Sequence, residues 1–157
     1  MPYPASLIAY AFVKKGIGDG NPVTQMKLQK MVYFAHGYHL AKFGDPLVIE
    51  EFEAWKFGPV IPFIYQTYKL YGSGEITDTS LIYNVTKLES ELSKIDPNAI
   101  DAINYTWKVT KSLDANSLSA WTHKIGSPWQ EVYKPHINSI AIKNETIGKY
   151  FTEILTN

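Results

Sequence analysis

Residues 26 to 43, MKLQKMVYFAHGYHLAKF, constrain the fold more than any other part of the chain. Leu28, Met31, Val32, Ala35, Tyr38 and His39 recur at helical spacing and define one core-facing stripe. Tyr33, Phe34 and Leu40 add apolar surface beyond that stripe. A helix that is apolar on several sides has to be covered on several sides. Thr24 is placed to cap its start, and Gly44-Asp45-Pro46 stops it. The remaining segments are therefore read as walls around one central helix.

Residues 5 to 15 form a first helix with Leu7, Ala11 and Phe12 on one side. Gly16, Gly18 and Gly20 are expected to end it as a flexible loop. This G-x-G-x-G has neither a strand before it nor a Lys-Ser/Thr pair behind it, so it is no phosphate cradle. After the central helix the period changes to two. Phe52 and Ala54 alternate with Glu51, Glu53 and Trp55, which gives one or two short strands within residues 47 to 55. Pro62 opens a third helix over FIYQTYKLY, lined by Ile61, Ile64, Tyr65, Tyr68 and Tyr71 and closed by Gly72. Residues 73 to 86 are polar and turn-rich. Leu88, Leu92 and Ile95 mark a short helix, and Asp96-Pro97 starts a longer one ending near Lys111. Ser117 is read as the cap of a short helix carrying Leu118, Trp121 and Thr122. Ser127-Pro128 starts another turn, bearing Trp129 and Tyr133. Ile140 and Ile142 alternate as a strand, and Asn144 is expected to cap a last helix over residues 145 to 155. No internal repeat or linker is visible. The expected fold is mainly α: a compact single helical domain over residues 1–157, with a small β-hairpin or short strands beside the central helix.

Composition narrows the function by exclusion. The 157 residues fit one domain of about 150 residues, and 45% are apolar, enough for a real core. Net charge is zero, so no overall field selects a partner. All fifteen basic residues are lysines. Without the planar fork of Arg for phosphate and guanine, nucleic-acid binding is not expected. There is no Cys, hence no disulfide or thiolate. No basic leader or long apolar run appears, so neither a signal peptide nor a membrane span is expected and the chain reads as cytoplasmic. The sequons at Asn84, Asn104 and Asn144 are then chance matches. The 22 aromatic residues suit both a core and a contact surface.

Candidate chemistry is sparse. His36 and His39 have the spacing of two metal ligands on a helix, but no third ligand or H-E-x-x-H motif accompanies them. His39 also falls on the apolar stripe, so both read as core histidines, and no metal or cofactor is expected. Asp114, Ser117 or Ser119, and His123 form a nucleophile set only on paper, since no nucleophile-elbow glycines accompany them. No catalytic residue is assigned and the chain is not read as an enzyme. Glu50, Glu51 and Glu53 form the one acidic cluster, which is either solvated or set against a basic partner.

One stretch is more particular: EAWKFGPVIP, residues 53 to 62. Gly58 precedes a proline and is pushed out of the α region, and Pro59 has a fixed φ and no N–H. The pair is expected to turn the chain sharply after a strand and before a helix, with Trp55, Phe57 and Phe63 folding onto one another. The order of pieces around it is specific. Lys27-Leu28-Gln29-Lys30 with Tyr33 comes first, then Gly44-Asp45-Pro46-Leu47, then Ala54-Trp55 and Gly58-Pro59-Val60, then Tyr65 and Tyr68. Thr122-His123 and Pro128-Trp129 follow. This ordered set resembles the Panacea domain, also called the SocA-like antitoxin domain, including its phage-associated members. The likeness is strongest over residues 24 to 72. The last pair of motifs carries one residue more between its halves than the family's T-H-x-x-x-P-W.

The resemblance implies an antitoxin that neutralises a cognate toxin protein by direct contact. Toxins linked to such domains include small translation-blocking enzymes that modify tRNA. Some relatives carry a separate DNA-binding segment, for which this chain has no spare length. Candidate partner-binding residues are Lys27, Lys30, Tyr33, Glu51, Glu53, Trp55 and Phe57. Leu28, Gly58, Pro59, His123 and Trp129 are read as the structural motif. Two other readings stand beside it: an adaptor that presents a partner to a protease, and an enzyme with a small-molecule pocket under the Trp55–Phe57 corner.

Overall fold

The computed structural model describes residues 1–137 and 139–156. Its central element is helix α2, Gln25–Phe43, preceded by α1, Ala5–Gly18. The hairpin β1, Phe52–Trp55, and β2, Gly58–Val60, follows. Next come α3, Pro62–Tyr68, with a 3₁₀ turn over Lys69–Tyr71, then α4, Val85–Leu92, and α5, Pro97–Thr110. Helices α6, Ala115–Thr122, and α7, Pro128–Val132, lead through strand β3, Ala141–Ile142, to α8, Asn144–Thr156. The fold is mainly α with a minor antiparallel sheet, as the sequence led us to expect.

Helix α2 is enclosed by α1, α3, α5, α6 and α8. Its boundaries follow from local chemistry. Thr24 Oγ1 accepts from the Lys27 N–H at 3.2 Å, and Gly44 takes a left-handed φ of 78° that few other residues tolerate. Leu28, Met31, Val32 and Ala35 are all fully buried. Where α8 crosses, Gly37 lets the Phe151 ring approach so closely that a Cβ would sit 2.3 Å from it. Gly37 is a contact point between helices, and its cost in helix propensity is accepted for that reason.

His36 is fully buried and neutral, its pKa lowered to about 4 by burial. Its Nδ1 accepts from the N–H groups of Leu47 and Val48. Nε2 must then carry the proton, which it donates to Asn144 Oδ1 at 2.8 Å. One imidazole thereby ties α2 to the loop before β1 and to the start of α8. His39 Nδ1 pairs with the Asp45 carbonyl at 2.6 Å. Both histidines serve the core.

The three strands run in the order β2-β1-β3, all antiparallel. Trp55 pairs with Gly58 and Glu53 with Val60, so Lys56 and Phe57 alone make the hairpin turn.

Several local expectations are corrected. Gly16 and Gly18 lie inside α1 and do not break it. Gly16 is required because the chain folds straight back over it: its carbonyl accepts from Asn21 N at 2.8 Å, and a Cβ there would meet the Asn21 carbonyl at 2.9 Å. Asp114, not Ser117, caps α6, its carboxylate accepting from the Ser117 N–H at 2.7 Å. Asn144 is the first residue of α8, and its side chain serves His36 instead of its own helix. Gly58-Pro59 lies within β2, and the strand-to-helix corner falls at Ile61-Pro62. Helix α1 lacks a side-chain cap of its own, and Glu50 supplies one from a distance by accepting from Ala5 N at 2.9 Å.

The Gly37 contact gives a direct test. Gly37→Ala should lower unfolding stability by about 1–3 kcal/mol in chemical denaturation, although Ala is the better helix former. A stability gain would mean that α2 and α8 are not closely packed there.

Candidate functional site

The site grows from a conflict in α2. Gln29 and Lys30 sit on a helix that is otherwise packed in the core, and buried polar groups need partners. Gln29 finds them in the hairpin exit: Nε2 donates to the Ile61 carbonyl at 3.1 Å and Oε1 accepts from the Ile61 N–H at 3.0 Å. The amide thus replaces the strand that β2 lacks on that side. Lys30 is 1% exposed and donates to the Pro59 carbonyl at 3.3 Å. Lys27 reaches the other way, donating to the Lys111 carbonyl at 2.7 Å and satisfying the C-terminal end of α5. Leu28 faces the core. The Lys-Leu-Gln-Lys run is therefore a clamp, with each member serving a different neighbour.

Above Lys30 the hairpin has no room for a side chain. Gly58 has a φ of 118°, and a Cβ would lie 2.6 Å from Thr122 Oγ1 and 2.7 Å from Lys30 Cε. Gly58 is needed for both its conformation and the close approach. The tip is pinned from α6 and α7: Ser119 Oγ donates to the Phe57 carbonyl at 2.7 Å, and Trp129 Nε1 donates to the Trp55 carbonyl at 2.6 Å. His123 stacks on Trp129 with centroids 3.8 Å apart and planes at 6°, and Trp129 stacks on Tyr133 at 4.4 Å. Trp129 thus holds the hairpin, and His123 packs on Trp129.

Burial lowers the Lys30 pKa to about 7. Burial also lowers that of His123, helped by the nearby Lys30 and opposed by the Phe57 carbonyl. The buried His123 Nε2 has no hydrogen-bond partner among the described residues.

On the outer side of the hairpin lies a cleft of about 650 Å³. Its walls include Gln25 and Gln29 of α2, Trp55 and Phe57 of the hairpin, and Tyr65 of α3. The Trp55 ring packs on Tyr65 at 5.4 Å and not on Phe57 or Phe63. Phe63 is exposed, and Phe57 stands 57% exposed at the hairpin tip. The expected three-ring cluster is replaced by a Trp55–Tyr65 wall with Phe57 free above it.

The candidate contact residues divide. Trp55, Phe57 and Glu51 are at the surface or partly so. Tyr33 is in the core, its ring edge-on to Phe52 at 5.2 Å and Phe151 at 5.5 Å, so no partner can reach it in this fold. Lys27 and Lys30 are buried behind the hairpin and support the surface without forming it. The acidic cluster is also dispersed: Glu50 caps α1, Glu53 accepts from Trp55 Nε1 at 3.0 Å, and Glu51 alone is exposed. Gln25 and Lys69 were missed by sequence reasoning, while Gln29 and Tyr65 stood in the ordered motif without being given a place at a contact surface.

Among the described residues no Ser or Thr hydroxyl is hydrogen-bonded to a histidine. Asp114 is spent on its cap, and Ser119, Thr122 and Ser127 each donate to a backbone carbonyl. Among the described residues no group of three or more His, Asp or Glu side chains is placed to hold a metal ion. No helix among them is long and apolar enough to cross a membrane.

A family model described as "Antitoxin SocA-like, Panacea domain" matches residues 28–130. This interval contains Leu28, Gln29 and Lys30 of the clamp, the hairpin and the His123–Trp129 stack. The chain is 32% identical over 130 residues to Antitoxin SocA of Caulobacter vibrioides (strain NA1000 / CB15N), covering 82% of this chain and 69% of that protein. No solved structure matches.

The buried Lys30 predicts a pH dependence. Its folded pKa lies below its unfolded value of 10.5, so between about pH 7 and 10 the unfolded chain binds more protons and stability rises with pH. The slope from this group approaches about 1.4 kcal/mol per pH unit. Urea unfolding at pH 7, 8 and 9 should show the rise in the native chain and its loss in Lys30→Met. An equal slope in both would mean that Lys30 is ionised inside the fold.

Proposed function

The chain belongs to the SocA-like antitoxin family, Panacea domain, and from that premise we propose that it neutralises a toxin protein by direct, stoichiometric binding. What supports a binding role is the hairpin: a two-residue turn carrying an exposed Phe57, its backbone held from three helices by Lys30, Ser119 and Trp129. An exposed ring on a rigid support loses little entropy on contact, which is how interface anchors work. Trp55 and Tyr65 form the apolar wall beneath it, and the exposed Glu51 just before β1 is the candidate rim group. Tyr33, Lys27 and Lys30 act as its scaffold.

The experiment is co-expression with the product of the adjacent reading frame. The native chain should restore growth and form a complex on a sizing column, with the toxin's lifetime unchanged. Phe57→Ala should fold normally and weaken the complex by roughly thirtyfold or more, the size of an anchor-residue loss. Failure of the native chain to rescue or bind any toxic neighbour would contradict the reading, and a shortened toxin lifetime would point to delivery to a protease.

A further inference from the structure

This inference rests on the antitoxin reading and names the chemistry of the contact. The cleft beside the hairpin is one-signed. The exposed charged residues that line it are lysines, Lys56 on the hairpin turn and Lys69 after α3, and the buried Lys30 amine lies in its floor. None of them has an ion-pair partner among the described residues, where all three ion pairs involve other lysines. Of the nearby acids, Glu53 is bound to the Trp55 indole and Asp114 to the Ser117 N–H, while Glu75 is exposed near Lys27. This local excess stands out in a chain whose net charge is zero.

Two further features have the same sense. The first turn of the 19-residue α2, at Thr24, Gln25 and Met26, opens on the cleft and brings the positive end of its dipole there. Gln25 lines the same wall, and its buried Oε1 accepts no hydrogen bond among the described residues. The remaining lining is apolar, from Trp55, Phe57, Val60 and Tyr65.

We propose that the cleft receives an acidic segment of the toxin: an Asp or Glu flanked by apolar side chains, its carboxylate held between Lys56 and Lys69 at the α2 N-terminus, a backbone N–H donated to Gln25 Oε1, and its apolar neighbours seated on the Trp55–Tyr65 wall under Phe57. Lys30 closes the floor as a buried amine bonded to the Pro59 carbonyl. Lysines without arginine match a carboxylate as point charges and do not offer the planar fork suited to phosphate or base edges.

The test compares two variants of equal net charge. Lys56→Glu/Lys69→Glu alters exposed side chains at the cleft, and Lys94→Glu/Lys108→Glu alters exposed side chains away from it. Against the purified toxin at low salt, the cleft variant should bind about thirtyfold more weakly or worse, and the control within about threefold of the native chain. An Asp/Glu→Lys change in one toxin segment should restore the cleft variant. Equal affinities of the two variants would overturn the proposal and leave the antitoxin reading standing. If the native chain bound no toxin, the antitoxin reading would fall, and the cleft would be judged by amide NMR of the full chain with capped Leu-Asp-Glu-Phe and Leu-Asn-Gln-Phe peptides. The acidic peptide alone should shift Gln25, Phe57 and Lys69. Equal shifts from both peptides, shifts elsewhere, or stronger shifts of these amides by an oligonucleotide would sink the proposal.

Discussion

A buried amide and a buried amine on one helix face govern this structure. Gln29 and Lys30 cannot stay in the interior unpaired, because each unmet polar group there costs about 1–3 kcal/mol. The groups that satisfy them are backbone atoms of one short strand and its exit, the Pro59 carbonyl and both polar groups of Ile61. Strand β2 and its exit are therefore hydrogen-bonded on one edge by β1 and on the other by side chains of the central helix. A two-stranded ribbon is marginal by itself in water. Here it is fixed at the tip as well, by Ser119 and Trp129.

The consequence is a surface whose shape is set from within. Lys27, Leu28, Gln29, Lys30 and Tyr33 belong to one run of sequence, yet none of them is at the surface. They determine where Trp55, Phe57 and Tyr65 are. A functional motif read from sequence can thus mark the support of a contact surface, not the contact surface. The histidines make the same point. His36 is spent on two backbone N–H groups and an Asn side chain, which leaves it structural.

Much of the fold was legible because it rests on local chemistry. The apolar stripe of α2, the Thr24 cap, the Gly44 stop, the Asp96-Pro97 start and Pro62 as a first helical residue all depend on near neighbours. What was not legible depends on distant ones. Gly16 looked like a breaker, but its role is to let residues 21 to 23 pass close to a continuing helix. Asp114 and Ser117 are both good caps by type, and only the geometry of the chain before α6 decides between them. Asn144 looked like a cap because its true partner, His36, lies 108 residues away. Gly58-Pro59 was correctly marked as special, though for a close approach to Lys30 and Thr122 and not for a corner. Of the cleft only a pocket at the Trp55–Phe57 corner was legible, since its other walls need α2 and α3 placed beside the hairpin.

The central claim is that α2 holds the hairpin rigid so that its outer side can dock a toxin. Hydrogen–deuterium exchange of the full chain, alone and in the toxin complex, tests it most directly. The account predicts slow exchange of the Ile61 amide in both states and new protection in the complex at residues 55 to 57 and 69, with α4 and α8 unchanged. Protection confined to α4 or α8, with the hairpin and cleft exchanging as in the free protein, would contradict it.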